Sequence, residues 1–409
     1  MGDLLYTLKM RSGAWPLIAL RGAMVAVHLL VMLGLAAWLG LAGFGALAHL
    51  WAVALVLSTV IAAGGPLVIL RANAATVLAR FVTAGVLFPA TLAVAGFTVL
   101  ALLGQLAPWG AVVALAFAFA LGQAVASALR VMGSVAFSMV LRDGLPVILL
   151  GIVAIVPATT EALIWWVAVA LIVVSLITLG VAAVRAGVRW QTDGTAEAQP
   201  LLWMSSLLGM AQAQADLVVA GALLPPEVFG VYALLRRIAN LVALPVSVAT
   251  WVCAGPVSNA FAHGNRSALA KASAEASAIA WYPALGLAFC AASGGVIVWQ
   301  LAPTLFGPQM SLVFAVLLAG ALVQAYWAAT FPVANLGPAP RMAVEARLLA
   351  LALYIGLVAV ASGRLDALGH AVGYTVAMSV GSLHLWRLVM ARFAVDASAR
   401  SLRVSVVTP

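Results

Sequence analysis

Long apolar runs dominate this chain: twelve stretches of about 20 or more predominantly apolar residues follow one another, with charges falling mostly in the gaps between them. About 20 such residues, coiled as a helix, match the roughly 30 Å hydrocarbon core of a bilayer. In hydrocarbon each backbone N–H and C=O needs a partner within the chain, which makes the helix the spanning element for runs of this length. Of the 409 residues, 66% are hydrophobic and 8% charged, whereas soluble domains carry about 25% charged residues. No water-soluble core could hide so much apolar surface. The expected fold class is an all-α polytopic membrane protein, and twelve spans leave no length for a soluble domain.

The spans are expected at 17–41, 45–70, 80–104, 109–129, 134–157, 162–185, 200–223, 228–256, 276–300, 309–335, 342–363 and 368–391. The gaps alternate in charge. One set carries Arg71 and Arg80, Arg130 and Arg142, Arg185 and Arg189, Arg266 and Lys271, and Arg341 and Arg347. Both ends of the chain belong with it, through Lys9 and Arg11 and through Arg387, Arg392, Arg400 and Arg403. The other set, at 40–44, 105–109, 157–161, 224–227, 302–308 and 363–369, is short and has Arg364 as its one cation. Cations collect on the cytoplasmic side of a bacterial inner membrane, so both termini and the 255–275 loop are expected there. The formal net charge of +9 does not point to nucleic acid, because the cations come in ones and twos rather than as a stripe. Lys9 and Arg11 precede a run too long for a signal-peptide core, so the first span is expected to stay. Cys253 and Cys290 lie inside apolar runs and read as packing residues. Pro89, Pro245, Pro283 and Pro332 also lie inside spans, where a broken helix would suit a cavity and simple tolerance is the plainer reading.

The chain repeats itself. Phe44-Gly45 matches Phe229-Gly230, Gly65-Pro66 matches Gly255-Pro256, and Pro89-Ala90 matches Pro283-Ala284. Gln105-Leu106-Ala107-Pro108 likewise matches Gln300-Leu301-Ala302-Pro303. The order holds at offsets of 185, 190, 194 and 195. Six spans per half is an even number, so the halves are expected as parallel repeats about an axis along the membrane normal, with a site between them. The polar linker 189–200 is the natural boundary, giving lobes 1–194 and 195–409.

The segment Asp216-Leu217-Val218-Val219-Ala220-Gly221, then Pro226-Glu227-Val228-Phe229-Gly230-Val231-Tyr232-Ala233-Leu234-Leu235-Arg236-Arg237, carries a resemblance. It resembles the middle of the polysaccharide-transporter branch (Wzx-like flippases of lipid-linked oligosaccharides) of the multidrug/oligosaccharidyl-lipid/polysaccharide exporter superfamily. Leu305-Phe306-Gly307-Pro308 and Asn335-Leu336-Gly337 look like that branch too. The resemblance implies two pseudo-symmetric six-helix bundles in a V and alternating access. It also implies export of an undecaprenyl-diphosphate-linked oligosaccharide, an O-antigen or exopolysaccharide repeat unit. Membrane lipids and other polysaccharide-assembly membrane proteins would be its neighbours. H+ or Na+ would be the coupling ion, with no other cofactor. The chain departs from the family in its abbreviated loops and in lacking helices after the twelfth span.

Charged groups inside spans are costly and are the first candidates for function. Arg236 and Arg237 stand about nine residues into the eighth span, roughly 13 Å below its outer end. Adjacent residues are 100° apart on a helix, so the two cannot share one environment. Asp216, reflected through the turn at Pro225-Pro226, falls nearly opposite Arg236. The expectation is that Asp216 pairs with Arg236 while Arg237 faces a cavity; the plainer alternative is that both arginines are structural or snorkel outward. Gln212 with Asp216, and Arg236 with Asn240, stand four apart and share helix faces, as polar lining or as interhelical glue. Arg21 and His28 are far along apolar chain from any acid but Asp143. An unpaired cation there would suit a diphosphate, although Arg21 is near enough the cytoplasmic edge to snorkel. His28 and His49 could titrate in a proton-coupled cycle, against the plainer reading of hydrogen-bonded packing.

No Gly-x-Ser-x-Gly elbow, phosphate-cradling glycine loop, His-x-x-x-His or Cys-x-x-Cys spacing is present, so no catalytic residue or metal site is expected. Two alternatives to the flippase remain. A cation-coupled multidrug exporter of the same superfamily favours acids in its cavity, whereas cations outnumber acids within these spans. A membrane glycan polymerase or ligase would need a large outer loop, and the outer gaps here are short.

Overall fold

A helix that is apolar on every side has no face for water, and the sixth span shows how such a helix is used. Its inner face buries Leu163, Ile164, Val167, Ala168, Leu171 and Leu179, while Trp166, Val169, Val173, Ile177, Val181 and Val184 point outward at helical spacing and stay exposed. The medium covering that outer face must be hydrocarbon. The computed structural model describes residues 2–70, 72, 76–156, 158–185, 200–301, 307–361 and 365–404, and these are helical with no strand.

Two compact units divide the chain, Met1–Met210 and Ala211–Pro409. The expected lobe boundary at 194/195 lies outside the described residues. Unit 1 begins with α1, Gly2–Ala62, which is non-helical at Gly40 with φ 69° and ψ 168°. Only glycine adopts that conformation without strain. The loop expected at 40–44 is therefore a one-residue break: Leu41, Ala42 and Phe44 continue as helix. The second span also ends earlier than expected, at Ala62, and Gly65 opens the short α2, Gly65–Leu70. There a Cβ would meet the Ala84 carbonyl oxygen at 2.2 Å, so only glycine allows this approach. Then follow α3, Val77–Leu102, with a π-helical stretch Phe81–Leu87; α4, Leu106–Val131; α5, Val135–Val153, with a second π stretch Val140–Gly144; and α6, Thr160–Arg185.

The next helix, α7, Pro200–Leu223, starts in unit 1 and ends in unit 2. Unit 2 continues with α8, Pro226–Val242, and α9, Leu244–Ala262, then α10, Arg266–Leu301, and α11, Pro308–Tyr326. The short α12, Thr330–Leu336, is followed by α13, Arg341–Val360, α14, Ala367–Phe393, and a final turn α15, Ser401–Val404. The eighth span is not one helix: α8 and α9 bend by 44° where Pro245 occupies the first turn of α9. Pro283, by contrast, lies within α10 without ending it. The expected 255–275 loop contracts to 263–265. Gly264 takes a φ of 60°, and the Asn265 side chain accepts from the Ala268 N–H at 3.0 Å, so the helix restarts at once. Arg266 and Lys271, expected as loop cations, are helical.

Nine described helices are long and apolar enough to cross a membrane, and the bent α8–α9 pair makes a tenth. The 44 residues of α1 counted there, broken at Gly40, serve as two passes. The 27 residues of α14 reach about 40 Å and complete twelve, their hydropathy lowered by His370, Tyr374, Ser379, Ser382 and Arg387. The units are built alike inside. In unit 1, α4 packs against α1, α3 and α6, and α5 against α6; in unit 2, α11 packs against α8, α10 and α14, and α13 against α14. Small residues make α4 a hub, since alanines such as Ala111, Ala116, Ala118 and Ala128 are fully buried and let backbones come close.

Candidate functional site

A two-residue link joins α7 to α8, so side chains a few turns from it on either helix can reach each other. Asp216 on α7 and Arg236 on α8 meet this way: the Arg236 Nε donates to Asp216 Oδ2 at 2.8 Å, and both side chains are buried. Tyr232 is four residues before Arg236 and Asn240 four after, so all three share one face of α8. The Tyr232 hydroxyl donates to the same Asp216 oxygen at 2.9 Å. Arg236 Nη1 donates to Asn240 Oδ1, and Nη2 to the Tyr374 hydroxyl on α14. The guanidinium also lies over the Tyr374 ring, 4.6 Å from its centroid.

Tyr374 is part of a second polar face, His370, Tyr374 and Met378, again at intervals of four. Tyr354 on α13 stands edge-on to Tyr374 with centroids 6.0 Å apart, and its hydroxyl contacts His370 Nδ1 at 3.0 Å. Gln212 on α7 donates to Met378 Sδ at 2.9 Å. Four spans of unit 2 are thus tied through one carboxylate and one guanidinium, with apolar packing from Ala215, Ala350, Val358 and Ala377 around them. The charges balance and the pair is shielded from solvent. Two buried atoms of this cluster, Asp216 Oδ1 and His370 Nε2, make no hydrogen bond among the described residues.

Of the residues singled out from sequence, Asp216, Arg236, Asn240 and Gln212 come together here. Arg237 is turned off this face, half-buried, with no hydrogen bond or ion pair among the described residues. Arg21 is not the unpaired cation that its distance from other acids implies. It pairs with Asp143 on α5, which also receives Arg142 Nε at 2.8 Å, because the packing of α1 on α5 brings Asp143 to it. His28 and His49 lie half-buried on α1, in unit 1. Tyr354, His370 and Tyr374 carry no such mark in the sequence, and Tyr232 enters there only within the segment that carries the family resemblance. The interval of four joining Tyr232, Arg236 and Asn240 was the available signal.

No protein-family model and no curated protein matches the chain. Solved structures match its fold along nearly all its length. One is the MATE multidrug transporter DinF-BH, solved as a complex, at 14% identity and TM-score 0.67, covering 95% of this chain and 96% of that one. Another is the eukaryotic MATE transporter AtDTX14, at 14% identity and TM-score 0.61, covering 99% of both. A third is a multidrug resistance MATE family transporter of the MOP superfamily in an outward-facing conformation, at 16% identity and TM-score 0.56, covering 94% and 93%. The chain therefore has the fold of these transporters, a multi-pass membrane fold of twelve helices in two bundles. The third of these structures is named for the superfamily that the sequence resembles; the likeness shows the fold, and the polysaccharide-transporter branch rests on the motif residues alone.

Proposed function

We propose that this protein is a secondary exporter of small amphipathic molecules, of the multidrug kind, working by alternating access in a bacterial inner membrane with both termini cytoplasmic. The observation that carries this reading is the end-to-end likeness of its fold to multidrug transporters. Fold alone does not choose a substrate, so the charges inside the spans must. Two acids within the described spans, Asp143 and Asp216, each already hold an arginine. An organic cation would have to compete with these tethered guanidinium groups. Neutral or anionic amphipaths meet no such competitor, and they are the expected cargo.

One observation favours a second reading, the flippase of polyprenyl-diphosphate-linked oligosaccharide. Arg237 is a half-buried cation with no protein anion paired to it among the described residues, and a diphosphate would neutralise it. Both readings use Arg237; they differ in cargo. Protein reconstituted in liposomes is offered an anionic amphipathic dye, a cationic rhodamine dye and a short-chain lipid-linked oligosaccharide, under imposed H+ or Na+ gradients. Gradient-driven uptake of the anionic dye, lowered tenfold or more by Arg237→Ala, is the expected outcome, and the effective gradient identifies the coupling ion. Movement of the lipid-linked glycan alone selects the second reading. Transport of the cationic dye in preference to the anion defeats the argument from charge, and no gradient-driven transport of any cargo defeats the exporter itself.

A further inference from the structure

The tenth expected span is broken near its end. A continuous helix would pair the Thr330 N–H with the Tyr326 carbonyl, but α11 stops at Tyr326 and α12 starts at Thr330. Pro332 accounts for this: it has no N–H for the Ala328 carbonyl, and its ring crowds that oxygen. The Thr330 N–H donates instead to the Trp327 carbonyl at 3.1 Å, which releases the Tyr326 carbonyl to another donor. Backbone freed inside an apolar unit needs a partner from elsewhere in the chain.

The segment that follows α14 supplies it. The Ala399 N–H donates to the Tyr326 carbonyl at 2.9 Å, and the buried Thr330 hydroxyl donates to the Ala397 carbonyl at 3.0 Å. Val395 and Ala397 are buried in one apolar cluster with Ala328, Ala329 and Val333. Asp396 Oδ1 accepts from Trp386 Nε1 on α14 at 2.9 Å, and from the N–H and hydroxyl of Ser398 at 3.1 and 2.6 Å. Beyond it α15 packs against α10. The segment leaves α14 through Ala394, whose φ of 49° is a left-handed conformation that costs a residue with a Cβ. Such a conformation persists where surrounding contacts hold it.

We infer that residues 394–404 form a latch on this break. Docked, the latch pairs the Tyr326 carbonyl and the Thr330 hydroxyl and fixes α12 relative to α11. Released, it leaves both groups without these partners, and the break is free to flex. The strain at Ala394 works against docking, so the two states lie closer in free energy than the buried contacts alone would set them. The turn that Asp396 makes with Ser398 is internal to the segment, so the latch can leave as a formed unit once Trp386 lets go. The device does not depend on what the protein exports.

Full-length protein in detergent micelles is followed by hydrogen–deuterium exchange read by mass spectrometry. Thr330→Val alters the break and removes its hydroxyl donor; Asp396→Ala alters the latch and removes its tie to α14. Each variant should speed exchange about fivefold or more at 326–336 and at 394–404 together, as expected for a lost buried hydrogen bond, while α7 and α13 keep their protection. Ala394→Gly relieves the left-handed strain and should slow exchange in both segments about threefold or more. Faster exchange confined to the altered segment overturns the latch, because the two would then not be coupled. A rise spread evenly over unit 2 overturns it too, since that marks lost packing rather than release. So does an Ala394→Gly variant whose two segments exchange as fast as the unaltered chain or faster.

Discussion

Among the described residues, arginine meets aspartate inside the spans at two places, in surroundings that differ in water. In unit 2 the side chains of Asp216 and Arg236 are 0% and 6% exposed, one carboxylate meets one guanidinium, and Tyr232, Asn240 and Tyr374 take up further donors and acceptors. In unit 1 the Asp143 and Arg21 side chains are 25% and 21% exposed, and Arg142 makes a second cation on the same acid. A dry, balanced pair acts as a strut, since breaking it leaves a charge with no solvent. A wetter cluster contributes less to stability, because water can take over from either partner.

Removing one partner of the dry pair is the strongest way to test this contrast. Arg236→Met leaves Asp216 buried with Tyr232 as its remaining donor, and losing one side of a buried pair costs about 3–5 kcal/mol. Unfolding of the purified protein in mixed micelles should show a loss of that size. The double variant Asp216→Leu with Arg236→Met should recover most of it, because two apolar groups need no partner. A double variant as unstable as the single one would mean that the pair matters through shape rather than charge.

Tyr374→Phe sharpens the picture at smaller cost. It keeps the ring under the guanidinium but removes the acceptor for Arg236 Nη2. A hydrogen bond to a charged group contributes about 1.5–3 kcal/mol, so the loss should stay in that range. Tyr232→Phe removes a donor from Asp216 and should cost a similar amount. Variants at both tyrosines that unfold like wild type would show that Asp216 and Arg236 suffice alone.

How far the sequence reveals this follows from the reach of its periodicities. The Asp216–Arg236 pairing is legible because a short turn fixes the depth of both residues on adjacent helices. Tyr354, His370 and Tyr374 are not, because an aromatic within an apolar run counts as packing, and the contact from α8 to α14 bridges 138 positions. The twelve passes follow from hydropathy and length. The continuity of α1 through 41–44 does not, because Gly40 looks like the start of a loop and acts instead as a single break. Arg130 and Arg142 read from sequence as topology-setting cations. Only the packing of α1, α4, α5 and α7 gathers them around one cavity.

The smallest expected effect on stability, and the one that separates the two pairs most sharply, comes from Asp143→Asn. The Asp143 carboxylate is partly solvated, so its ion pairs should contribute no more than about 1 kcal/mol, as for exposed pairs. Arg21 and Arg142 remain near enough to the surface to be hydrated once it is gone. Asp143→Asn should therefore unfold almost like wild type, and what small difference there is should fade as salt is added. A stability loss as large as that of Arg236→Met would make the unit 1 cluster a strut as well.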